Sequence, residues 1–340
     1  MTLKEIAIRA GVSVSTVSRI INSEDDSFAR KEIREKVWQI IRETEYVPNQ
    51  TAIELKQNKS RNNRKEPNTI TCILGRTKNL EDNPFFAQVA RAIEQKALKM
   101  GYVVSLFYSV LDLTNLDLIE KIDSVKSRGA VVIGRFEMDA INFLKSHYKN
   151  IVYVGRNVID ADLDQVICDG YEATKEALNY LIQCGHKRIG YIGETVNETR
   201  YSAYLNVVAR KKLEFDRNLV CSCPQNGIGG YQGADILLKK AFPLPTAVFC
   251  ATDVAAIAAI RRFTEAGIRI PEDISVVGMD DIELAGYVSP MLTTIGMPKT
   301  ELGNIAVQTL ISRINKNHKL PMKIFLPYKL AVRESVAKRT

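Results

Sequence analysis

The sequence predicts an α/β protein: a small all-α N-terminal head (residues 1–57), a basic linker (58–67), and a larger two-lobed body of parallel sheets (68–340). Three observations carry this. At 340 residues the chain exceeds one ordinary core, because single cores stop growing near about 250–300 residues. Its head shows apolar residues at helical spacing, broken by a glycine. From Asn68 onward short β-branched runs alternate with amphipathic stretches, the pattern of parallel sheets covered by helices on both faces.

In the head, Thr2 and Glu5 form an S/T-x-x-E box, in which each side chain can satisfy an orphan amide of a first helical turn. Leu3, Ile6, Ala7 and Ala10 then share one face, until Gly11 ends the helix by taking positive φ. Ser13 caps the next helix, which should bury Val17, Ile20 and Ile21 and turn Val14, Ser15, Ser18 and Arg19 outward. Two short helices joined this tightly describe a helix-turn-helix, whose second helix enters a DNA major groove. After a loop with Glu24, Asp25 and Asp26, a third helix is expected from Arg30 to Glu45, with Ile33, Val37, Ile40 and Ile41 on its buried stripe and Trp38 one step off it. Pro48 stops that helix, and Asn49 can cap a hinge helix ending near Gln57. At about eight residues it should order only when something packs on it. Residues 56–65, KQNKSRNNRK, carry five Lys or Arg and no acid, a basic segment that suits a polyanion or a plain soluble tether.

Leu3-Lys4-Glu5-Ile6-Ala7 with Ala10-Gly11-Val12-Ser13-Val14-Ser15-Thr16-Val17-Ser18-Arg19-Ile20-Ile21-Asn22, followed by Tyr46-x-Pro48-Asn49-x-x-Ala52-x-x-Leu55, resembles the headpiece of the lactose/galactose repressor family. The resemblance implies that Val14, Ser15 and Arg19 read base edges, that Ser13 and Thr16 touch phosphate, and that Asn49, Ala52 and Leu55 belong to a hinge helix whose leucine wedges into the minor groove. Arg19 has the fork that matches guanine, and an apolar wedge kinks DNA, so the roles are physically sound. Outside that Pro-Asn-Ala setting, Leu55 would read as core. The acid-rich loop, and Ala29 where a capping hydroxyl usually stands, depart from the family pattern.

In the body, residues 70–75, 103–109, 130–134, 151–155, 188–193, 247–251 and 274–279 read as buried parallel strands, with helices over 85–100, 172–184 and 254–266. Ligands of open α/β sheets bind beyond the carboxyl ends of strands, so a cleft between lobes is the expected site. Arg200, Thr252, Asp253, Asp280 and Asp281 follow such ends, and Phe85 and Phe86 follow the first strand. An arginine among carboxylates suits hydroxyl groups that both donate and accept, and the phenyl rings could stack on a sugar face. Asp253 and Asp281 could equally cap the helices that follow them. The run from Cys184 to Gly193, Arg200, Ala251-Thr252-Asp253, the stretch from Gly267 to Asp281 and Pro290 to Ile295 resemble the same family's effector domain, itself similar to periplasmic sugar-binding proteins. That resemblance implies Arg200 and Asp280 as effector contacts, Thr252 as their neighbour, a homodimer on a palindromic operator, and a sugar effector, closest in look to galactose or a galactoside. Gly155, where many members carry aspartate, and Ala203, where glycine is usual, depart from it.

The rest of the sequence excludes more than it adds. No apolar run approaches a membrane span, and no apolar segment follows the first turn, so a cytoplasmic location without membrane contact is expected. The six cysteines are scattered without metal spacing, and His147, His186 and His318 form no ligand pair, so neither metal nor cofactor is expected. An enzyme is the rival class, but no P-loop or GxSxG is present, and Gly227-Ile228-Gly229-Gly230-Tyr231-Gln232-Gly233 follows no clear strand. A second rival keeps DNA binding and replaces the sugar with a phosphoprotein corepressor.

Overall fold

The computed structural model describes residues 3–22, 30–44, 68–75, 80, 83–110, 122 and 126–339. The chain divides into two compact units, Met1–Lys65 and Glu66–Thr340.

In the first unit, α1 (Leu3–Ala10), α2 (Val14–Asn22) and α3 (Lys31–Glu43) close on one small core. Ile6, Ala7, Ala10, Val17, Ile20, Val37 and Ile40 are buried, with Val12, Ile33 and Ile41 packed at the edge. Gly11, at φ 73°, makes the turn the sequence asked of it. Trp38 stays exposed, as its place off the stripe requires. The capping threonine Thr2, the acidic loop and the hinge segment fall outside the described residues, and Arg30 begins α3 with no side-chain cap.

The second unit holds two six-stranded sheets. In the first lobe β1 (Thr69–Leu74), β2 (Val103–Ser109), β3 (Ala130–Ile133), β4 (Ile151–Gly155), β5 (Asp164–Ile167) and β11 (Lys323–Phe325) run in the order β11-β5-β4-β3-β1-β2, all parallel. In the second, β6 (Ile189–Gly193), β7 (Val220–Ser222), β8 (Ala247–Cys250), β9 (Ser275–Asp280), β10 (Thr293–Gly296) and β12 (Lys329–Ala331) run β12-β10-β9-β8-β6-β7, parallel except for β10 against β12. The chain therefore crosses between lobes three times: after β5, after β10 and after β11. All seven strands expected from the sequence are present, while β5, β7, β10, β11 and β12 had not been anticipated.

Helices α4 (Pro84–Lys99), α5 (Met138–His147) and α10 (Lys299–Ile314) cover the first sheet, and α6 (Gly170–Gln183), α7 (Thr199–Arg210), α8 (Gly227–Lys240) and α9 (Asp253–Glu265) cover the second. The glycine run from Gly227 to Gly233 opens α8. A Cβ on Gly230 would lie 2.2 Å from the carbonyl oxygen of Ala255, so the glycine is what lets α8 pack this closely on α9. The expected aspartate caps are corrected as well. Thr252 is the N-cap of α9, accepting from Ala255 N–H, whereas the buried Asp253 reaches sideways to Thr294 Oγ1 (2.5 Å) and Ile282 N (2.9 Å) and ties β9 to β10. Asp281 pairs with Arg333 at 2.6 Å. All six cysteines are free and buried. Among the described residues no group of side chains could hold a metal ion, and no helix is long and apolar enough to cross a membrane.

Candidate functional site

In the head, the start of α2 gathers three hydroxyls. Ser13 Oγ caps the helix by accepting from Thr16 N–H (3.1 Å), and it lies 2.7 Å from Ser15 Oγ and 2.8 Å from Thr16 Oγ1. A helix N-terminus with orphan amides and hydroxyls favours an anion such as a phosphate. Because Val17 and Ile20 face the core, Val14, Ser15 and Arg19 are left exposed on one side, as the periodicity required. Asn49, Ala52 and Leu55 lie outside the described residues.

In the body, a cavity of about 700 Å³ opens beyond the carboxyl ends of the strands, between the two lobes. Its first-lobe wall comes from Phe85 and Phe86 at the start of α4, from Arg135 just after β3, and from Arg156 just after β4. Glu194, Glu198 and Arg200, after β6 and at the head of α7, form the opposite wall with Gln225.

Arg200 is buried and places four of its five guanidinium N–H donors on described residues. Its Nε and Nη2 donate to the two oxygens of Glu198 at 2.7 and 2.8 Å, Nη1 donates to Ala251 O (2.5 Å), and Nη2 also meets Gln225 Oε1 (2.5 Å). Glu198 doubles as the N-cap of α7 and accepts from Gln225 Nε2 at 2.8 Å. Burial alone would raise the Glu198 carboxyl, but the Arg200 charge and these hydrogen bonds outweigh it and hold it at about 2. Arg156 forms an ion pair with Asp280 and stacks 4.2 Å from the Phe85 ring centre. Burial draws the Arg156 guanidinium down and the Asp280 carboxyl up from their ordinary values, each opposed by the other's charge. Arg135 donates to Glu194 (2.8 Å) and to the carbonyls of Val196 (3.3 Å) and Asn197, and lies 3.5 Å from Glu198.

Of the residues expected at the site, Phe85, Phe86 and Arg200 line the cavity; Thr252 and Asp280 do not. Thr252 is occupied as a cap, and Asp280 stands behind Arg156, which covers it. Arg135, Arg156, Glu194, Glu198 and Gln225 had not been singled out. The signal was available for four of them: Arg135, Arg156 and Glu194 follow strand ends directly, and Glu198 sits two residues before Arg200. The departure at Gly155 has a physical counterpart. A Cβ there would lie 1.9 Å from the hydroxyl of Tyr153, so the tyrosine fills the space where a side chain at 155 would begin.

Comparison with known proteins agrees with both halves. Residues 2–49 match the family described as bacterial regulatory proteins, lacI family, and residues 178–336 match the periplasmic binding protein-like domain. The chain is 34% identical to the ribose operon repressor of Haemophilus influenzae, over 98% of each chain. It is 32% identical to the HTH-type transcriptional repressor PurR of Haemophilus influenzae (strain PittEE), over 92% of this chain and 91% of that one. The fold also matches a lac repressor dimer bound to operator and the anti-inducer ONPF, with a TM-score of 0.76 at 23% identity over 99% of both chains. A helix-turn-helix head, a body of two parallel-sheet lobes and relatedness along nearly the whole chain agree: the protein belongs to the lacI family of bacterial regulatory proteins.

Proposed function

We propose that this protein is a cytoplasmic transcriptional repressor that binds a palindromic operator as a homodimer and is released by a small neutral sugar held between the lobes of its body. The observation that carries the ligand class is the charge balance of the cavity and its backing: Arg135, Arg156 and Arg200 are matched by Glu194, Glu198 and Asp280. A phosphate or carboxylate would have to break one of these pairs, and breaking a buried pair costs about 3–5 kcal/mol. A polyol can accept from and donate to the same groups without net charge. Among the described residues the buried Nε of Arg156 has no hydrogen-bond partner, which leaves a donor for a hydroxyl oxygen. The two relatives named above, each over 30% identical, are a ribose operon repressor and PurR rather than a galactoside repressor, and the ribose operon repressor favours a pentose over the galactoside expected from the sequence.

On the DNA side the reading rests on the exposed Val14, Ser15 and Arg19 and on the hydroxyl cluster of Ser13 and Thr16. Leu55, with Asn49 and Ala52, is proposed as the hinge that grips the operator centre. The test is operator binding, by fluorescence anisotropy on a duplex selected from random sequence, titrated with D-ribose, D-galactose and ribose 5-phosphate. D-Ribose should weaken binding by roughly 5–150-fold, the usual range for linked sites. A response to the phosphate ester alone, or to a serine-phosphorylated carrier protein and no sugar, would overturn the neutral-sugar reading.

A further inference from the structure

Two arginines of the first lobe reach the second, and their positions differ in a way that separates their roles. Arg156 sits at the hinge. Its carbonyl accepts from Gly170 N–H (2.7 Å), and its partner Asp280 is held from behind by Lys299, whose Nζ donates to the Asp280 and Asp281 carbonyls at 2.5 and 2.8 Å. Gly170 and Lys299 are the first residues of α6 and α10, immediately after two of the three crossovers. A pair so near the pivot moves little when the lobes rotate. Arg135 belongs to a different place: it follows β3 and engages the loop between β6 and α7, where Val196 is 73% exposed. Its three acceptors, two carbonyls and the Glu194 carboxylate, and its second ion-pair partner Glu198 all belong to the opposite lobe. Such a set is satisfied at one separation of the lobes only.

We propose that Arg135 is a cross-cleft clasp, a positioning residue that holds the lobes at binding distance before any ligand enters. These contacts are between protein groups, so they act whatever occupies the cavity. The clasp also reaches the ligand-binding centre, because Glu198, 3.5 Å from Arg135, is the same carboxylate that grips Arg200. Energy spent ordering the cleft is thus met in advance, and an effector binds a site already assembled. Without the clasp the assembled form is a smaller fraction of the population, and apparent affinity falls by that fraction.

The full-length protein tests this with spin labels at Asp139→Cys on α5 and Lys211→Cys at the end of α7, both exposed positions in different lobes, while the six native cysteines are buried. Labelled protein mixed with excess unlabelled protein isolates distances within one subunit. Without ligand, pulsed EPR should give one narrow distance for the parent and a longer, broader distribution for Arg135→Ala, with Arg135→Lys between them. With D-ribose added, Arg135→Ala should return towards the parent distance and bind about tenfold more weakly, or ~1.4 kcal/mol. Superimposable parent and Arg135→Ala distributions without ligand, or a broad distribution already in the parent, would overturn the clasp. The effector arm rests on the sugar reading above. If D-ribose binds neither protein, that reading fails while the ligand-free distances still decide the clasp.

Discussion

Replacing Glu198 by glutamine tests the electrostatics of the site most directly. Oε1 would still accept from Arg200 N–H and Nε, but an amide in place of Oε2 would face two donors, Arg200 Nη2 and Gln225 Nε2, each now 2.8 Å from that oxygen. Arg200 would be left buried with its charge uncompensated, which costs about 3–5 kcal/mol. The carboxyl gives an independent figure. Its drop from 4.5 to about 2 corresponds, at about 1.36 kcal/mol per pH unit, to about 3 kcal/mol of stability at pH 7. A depressed carboxyl stabilises above its unfolded value and loses that contribution as pH falls, so at pH 3 only about 1 kcal/mol should remain. Urea unfolding of the body, followed by circular dichroism because the only tryptophan, Trp38, reports on the head, should show Glu198→Gln destabilised by about 3 kcal/mol at pH 7 and by about 2 kcal/mol less at pH 3. A midpoint that moves by less than the scatter at pH 7, or a loss that does not shrink with acid, would refute the account of Glu198 as Arg200's counter-charge.

Three further outcomes are expected. Burial, then the neighbouring Asp280 charge, lifts Asp253 to about 7, so its neutral form stabilises the fold below about pH 4 and that contribution fades as pH rises to 7; Asp253→Asn should flatten the melting temperature between pH 5 and pH 8, and an unchanged slope would discount it. Gly155→Ala should destabilise the body by about 1–3 kcal/mol, because its Cβ would meet Tyr153 Cζ at 2.2 Å and Cε1 at 2.7 Å as well as the hydroxyl; in a double-mutant cycle read by thermal melts that cost should persist beside Tyr153→Phe and shrink beside Tyr153→Leu, which removes the ring. Arg19→Ala should flatten base preference in a binding-site selection while keeping nonspecific affinity; equal loss of both would make Arg19 a phosphate contact.

The strands that sequence reasoning found are those of mainly apolar or β-branched letters: the wholly buried β3, β4, β6, β8 and β9, together with β1 and β2, which Thr71 and Ser105 interrupt. Those it missed have a reason to be silent. β5 reads Asp-Gln-Val-Ile because Asp164, fully buried, accepts two bonds from Arg313 and one each from His318 and the Met322 amide, and Gln165 closes the loop at Ile159. Their polar letters satisfy partners up to 158 positions away, and no local period encodes that. β11 and β12 are three residues each, too short for any period to show. The ligand side of the cleft was legible only in part for a similar reason. Arg200 stands out by its context, whereas Arg135 and Arg156 show in the sequence only their places after strand ends, and their pairing with Glu194 and Asp280 comes from the other lobe.

That division also bears on how the fold can work as a switch. The groups nearest the pivot, Arg156, Asp280, Lys299, Asp281 and Arg333, form one connected set of ion pairs and carbonyl contacts around two crossovers. Asp253 joins it through the field of Asp280 and ties the same strands together from beneath. Such a set resists sliding of one lobe on the other but leaves rotation about the crossovers open, because its members lie close to the axis. Farther out, among the described residues, Arg135 joins the two walls. Contacts made there act where leverage is greatest, so a few kcal/mol at the outer wall, as from the Arg135 set, suffices to hold one lobe angle.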